Sequence, residues 1–64
     1  MPRYTVAQKT AALAHFWKDR AFRARVLKEA KAQGVIDKAI NPDNLKLILE
    51  FIVKLLPIIL QLFI

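Results

Sequence analysis

The last twenty residues, Leu45 to Ile64, read LKLILEFIVKLLPIILQLFI, and fifteen of them are large and apolar. On a wheel of 3.6 residues per turn, Asp43, Lys46, Glu50, Lys54, Pro57 and Gln61 share an arc of about 80°. Large apolar residues fill the rest, with Ile64 at the stripe's edge. The pattern predicts a helix with one narrow polar stripe, apolar around about three-quarters of its circumference. Glu50 precedes Lys54 by four residues, the favourable order for an intrahelical pair. Pro57 removes a backbone donor and frees the carbonyl of Val53.

Such a helix must be enclosed. A chain of sixty-four residues buries only roughly 60% of its unfolded surface. It is expected to lack the mass to surround the helix, so the enclosure should come from other subunits or from lipid. The residues expected to make that contact are Leu49, Ile52, Leu55, Leu56, Ile59, Leu62 and Phe63, with Lys46, Glu50, Lys54 and Gln61 as the polar stripe. A membrane span needs about 20 residues, which Leu45–Ile64 just supplies. Lys46, Glu50 and Lys54 oppose it, at roughly 2.5–3.5 kcal/mol for each central charge. The charge-free run from Leu55 is too short to cross alone. Several copies could turn their stripes inward as a polar lumen, or outward from a dry bundle.

Charge is segregated from this tail. Residues 1–40 hold nine Lys/Arg and three Asp/Glu, whereas in 41–64 Lys46 and Lys54 balance Asp43 and Glu50. The chain therefore divides into a basic head, 1–40, and an apolar C-terminal helix, 41–64, within one structural unit. A basic head suggests a polyanionic partner, nucleic acid or an anionic membrane. Arg20, Arg23, Arg25, Lys28 and Lys31 are the candidate contacts, since clustered cations neutralise phosphates. Phe16 and Trp17, beside Lys18, suit either an interfacial anchor or packing against the tail, and packing is favoured.

The head reads as helical, and the fold class as all-α. Thr5 with Gln8 three residues on forms a capping-box pattern. Gly34 is a suitable stop after Lys28 and Lys31. Val6, Leu13, Phe16, Trp17 and Leu27 fall on one face, with Phe22 and Val26 roughly opposite. A break near Lys18-Asp19 would reconcile the two faces. The absence of a breaker from 11 to 32 argues for one long helix, and that is the preferred reading. Val35–Ile40 has the spacing of a short amphipathic helical turn. Asn41 as N-cap with Pro42 following predicts that the last helix starts at Pro42. The result is a helical hairpin, or extended helices within an oligomer.

Several chemistries lack the residues they need. The chain has no cysteine and no serine, and the single histidine cannot make a zinc site alone. Its carboxylates are dispersed and no Gly-rich phosphate loop is present, so no catalytic, cofactor or metal site is expected. Ala30, Gly34 and Ile40 have helix-turn-helix spacing, but Glu29 and Gln33 occupy positions that should be apolar, and Pro42 would interrupt the recognition helix. Met1-Pro2-Arg3-Tyr4 lacks the apolar core expected of a secretory signal. The leading expectation is a non-enzymatic helical assembly protein acting in many copies, as a component of a virus or phage shell would. The alternatives are a tail-anchored or pore-forming membrane protein of holin type, and a nucleic-acid-binding chain with an oligomerisation helix.

Overall fold

A computed structural model describes residues 4–64. It contains three helices, α1 (Val6–Lys18), α2 (Arg20–Ala32) and α3 (Leu45–Phe63). The all-helical expectation holds. The capping box at the start of α1 is present: Thr5 Oγ1 accepts from the Gln8 amide at 3.1 Å, and Gln8 Oε1 accepts from the Thr5 amide at 2.8 Å.

The N-terminal helical stretch is broken at Asp19, the place where a break would reconcile the two apolar faces, so it forms two helices instead of the preferred single one. That residue is extended (φ −103°, ψ 108°). Its amide still closes α1 on the His15 carbonyl at 2.9 Å, while its side chain accepts from the Phe22 amide at 3.0 Å and opens α2. The break resolves the conflict between the two apolar faces. Phe16 from one face and Phe22 and Val26 from the other are all buried in one core. An aspartate that caps the next helix lowers the cost of the break, and burial of the second face supplies the driving force.

α2 ends as the sequence predicts. Gly34 has φ +76°. The Val35 amide reaches back to the Ala30 carbonyl (2.8 Å) and the Gly34 amide to that of Lys31 (3.1 Å), the two bonds of a Schellman motif. Beyond it Val35–Ile40 is not helical. Its four-residue apolar spacing survives differently, for Ile36 and Ile40 both point into the core.

α3 begins three residues later than expected. Asn41 Oδ1 accepts from the Asp43 amide (2.8 Å), and the Asn44 amide donates to the Asn41 carbonyl (2.9 Å). Asn41–Asn44 is thus a turn, and Asn44 is the N-cap, accepting from the Leu47 amide at 3.2 Å. A helix starting at Pro42 would use that residue's carbonyl within its own ladder. Here the carbonyl accepts from Arg23 Nε at 2.8 Å.

The largest departure concerns the tail. α1, α2 and the connector cover one whole side of α3. Ile48, Leu55, Ile58 and Ile59 are essentially inaccessible to solvent, packed in one cluster with Ala12, Phe16, Val26, Leu27, Ile36 and Ile40. The expectation that this chain could not enclose the helix itself is therefore corrected: it encloses about half of it. Two short helices and a connector that buries Ile36 and Ile40 achieve what a single long head helix could not.

Candidate functional site

The five candidate polyanion contacts of α2 separate into three kinds. Arg20 is exposed but committed. Its Nε and Nη2 donate to the two carboxylate oxygens of Asp43 at 2.7 and 3.1 Å. That hydrogen bonding holds the Asp43 carboxyl below its ordinary value, partly opposed by desolvation and reinforced by the charges of Arg20 and Arg23.

Arg23 cannot serve as a surface contact, because it is buried, with 8% of its surface exposed. Its Nη1 donates to the carbonyls of Trp17 (2.7 Å) and Phe16 (3.3 Å), and its Nε to that of Pro42. The first two are carbonyls of the last turn of α1, which have no partner within the helix. They lie at the negative end of the α1 dipole, where a cation is favoured. Among the described residues no buried side-chain nitrogen or oxygen lacks a partner. The signal for this role was present in the sequence. On the wheel Arg23 falls inside the arc of Phe22, Val26, Leu27 and Ala30, whereas Arg20, Arg25, Lys28 and Lys31 share the opposite one. Treating the cations as one cluster hid that difference.

Arg25, Lys28 and Lys31 form the remainder, exposed on α2 and outside the ion pairs found among the described residues. Lys28 and Lys31 also flank a shallow groove of about 240 Å³. Its other walls are Ala24, Leu27, Ala39, Ile40 and Pro42. The accessible basic face is thus smaller than the sequence suggested, and it borders apolar surface.

Phe16 is fully buried, edge-on to Trp17 with ring centroids 5.1 Å apart, so it is a core residue and not an interfacial anchor. Trp17 is half-buried. His15 joins an aromatic group, 4.6 Å from Phe22 and 5.6 Å from Phe63 between ring centroids.

The seven apolar positions of α3 also divide. Leu55 and Ile59 belong to the chain's own core, so neither is available to a partner. Ile52 and Leu62 are half-buried against that core, and Leu56 is half-buried. Leu49 is 61% exposed and Phe63 37%. Two residues absent from the expected set extend the exposed surface: Leu45 at 46% and Val53 at 77%. Leu45, Leu49 and Val53 are spaced by four and form one line along the first half of α3. Lys46, Glu50, Lys54 and Gln61 are exposed beside it as the polar stripe. Near the far end, Gln61 Oε1 accepts from Gln33 Nε2 at 3.4 Å. Among the described residues no helix is long and apolar enough to cross a membrane. Lys46, Glu50 and Lys54 are the charges that interrupt α3.

Comparison with known protein families, with curated proteins and with solved structures found no match for this chain.

Proposed function

We propose that this chain is a non-enzymatic assembly module. It associates in more than one copy through the outer surface of α3, and holds a phosphate-bearing polyanion on the basic face of α2. The observation that carries this reading is the line Leu45, Leu49 and Val53, exposed beside a core that is already closed. These residues contribute little to the fold and leave apolar surface for a partner, as contiguous exposed apolar residues do. Arg25, Lys28 and Lys31 support the second half of the reading, since among the described residues no carboxylate lies within ion-pair distance of them.

Sedimentation velocity in detergent-free buffer, over a range of concentrations, tests assembly. Titration of labelled duplex DNA, and flotation with anionic vesicles, test polyanion binding. The expected results are a mass above that of one chain and binding that weakens steeply with salt. Replacing Arg25, Lys28 and Lys31 together by glutamate should abolish the binding without changing the mass. A single-chain mass at every concentration, with no salt-sensitive binding, would overturn the proposal.

A further inference from the structure

We infer that the Leu45–Leu49–Val53 line is a two-fold interface with a second copy of this chain, in which the two α3 helices cross antiparallel at Leu49. The inference rests on the assembly reading above and gives it a partner and a register. Residues spaced by four form a ridge inclined to the helix axis. Ridges of this kind pack into one another at a crossing of about −50°, the commonest class between helices. Such a crossing makes a short contact, and three ridge residues at about 6 Å intervals are enough to fill it.

The ridge is self-complementary about its centre. A two-fold axis at Leu49 places Leu49 against its own copy and Leu45 against Val53 of the second copy. The flank of the ridge obeys the same symmetry. Lys46 and Glu50 lie on the side nearest the polar stripe, and in an antiparallel pair like flanks meet. Lys46 then stands level with residue 52 of the second copy, about 3 Å along the axis from that copy's Glu50. Both Lys46–Glu50 pairs form together. Lys54 points further round the helix and takes no part.

Charge favours a second copy over an anionic lipid surface. The chain carries +6, so self-association is opposed by repulsion on most of its faces. Residues 41–64 are neutral, and α3 is where two copies approach with least repulsion. A helix lying on anionic lipid gains from a net positive polar face, whereas here Lys46 and Lys54 are balanced by Asp43 and Glu50. The dimer carries two α2 basic faces in one particle, so a long polyanion can engage both at raised effective concentration.

Sedimentation equilibrium of the full chain without detergent provides the test, with circular dichroism confirming that each variant stays helical. The wild type should have the mass of two chains. Leu49→Asp, at a position mostly exposed in the single chain, should weaken dimerisation on the order of a hundredfold by setting two carboxylates against each other at the axis. Lys46→Glu or Glu50→Lys alone should weaken it roughly tenfold by creating two like-charge contacts. The double variant should recover wild-type affinity, and mixing the two single variants should give a heterodimer. Lys54→Glu should leave the dimer unchanged. A wild type that stays a single chain overturns both the interface and the assembly reading. A wild type that assembles while Leu49→Asp and the charge reversals change nothing overturns the interface alone. Retention on neutral vesicles lost in Leu49→Asp, with no dimer in solution, would assign the ridge to lipid and overturn it too.

Discussion

Replacing Arg23 by alanine should cost a large fraction of the stability of this chain. The side chain donates to three carbonyls, of Phe16, Trp17 and Pro42, from a site with 8% exposure. Hydrogen bonds from a charged donor contribute about 1.5–3 kcal/mol each. The Phe16 bond, at 3.3 Å, is the weakest of the three. In Arg23→Ala, water can enter the vacated space and recover part of the loss, so about 3–5 kcal/mol is expected. A domain of this length has a total stability of about 3–10 kcal/mol at 0.05–0.15 kcal/mol per residue. In the lower half of that range the variant would be partly or wholly unfolded at 37 °C. Arg23→Lys keeps the charge but cannot fork to α1 and the connector together, and should lose about 1–2 kcal/mol. Arg23→Met keeps most of the apolar stem and should fall between them. Urea titration followed by Trp17 fluorescence and far-ultraviolet circular dichroism measures all three. A loss below about 1 kcal/mol in Arg23→Ala, at unchanged m-value, would refute the reasoning, because it would mean that water satisfies the three carbonyls as well as the guanidinium does.

Asp19→Ala should cost about 0.5–2 kcal/mol by removing the N-cap of α2, and Asp19→Asn should recover most of it; urea midpoints compare them directly. The Arg20–Asp43 pair predicts a loss of stability in acid. The folded-state pKa of Asp43 is depressed, so its contribution is complete above the ordinary value of 3.8 and disappears as pH falls through the lower folded value. In Asp43→Asn this part of the pH dependence, which sets in as pH falls below the ordinary value of 3.8, should vanish, read as the change in urea midpoint on acidification.

Much of the fold was legible from local chemistry. Thr5 with Gln8, and Gly34 after a run of good helix formers, mark ends that depend on groups within a few residues of each other. The break at Asp19 was harder. Lys18-Asp19-Arg20 contains no glycine or proline, and local propensity favours continuing the helix. The two opposed apolar faces pointed to a break near Lys18-Asp19, but the choice between that and a continuous helix rests on bringing Phe16, Phe22 and Val26 into one core, which is tertiary packing. The start of α3 failed for a related reason. Asn41-Pro42 is a sound start signal in isolation, but Asn44 offers a second cap three residues on. The long-range bond from Arg23 to the Pro42 carbonyl is absent from any local pattern. Of the candidate contacts, Arg25, Lys28, Lys31 and Leu49 kept the exposure expected of them. Arg23 did not, although its place in the apolar arc of α2 marked it, and Leu55 and Ile59 did not because a helical wheel drawn for one helix does not say which part of an apolar face its neighbours cover.

The circumference of α3 shows how far that missing information reaches. With Leu45 at 0°, the polar stripe occupies about 100–180° and the core arc about 200–340°, from Leu47 round to Ile52. About 80° remains, holding Leu45, Leu49, Val53, Leu56, Leu60 and Phe63. This arc is not uniformly open, since Leu60 is 6% exposed and Leu56 half-buried. Its first half, Leu45 to Val53, stands clear of the chain's own packing, and Phe63 at the far end is 37% exposed. The apolar excess that suggests a membrane span in the sequence therefore has two separate origins. Most of it is the core of a three-helix fold with little mass to spare, and must be large because α1 and α2 are short. The rest is chiefly the exposed ridge of three residues, Leu45, Leu49 and Val53, for which the proposed partner is a second copy. A span would need the whole apolar arc at once, whereas a helix partner would need only the ridge, which is the contiguous part of that arc left exposed along the first half of α3.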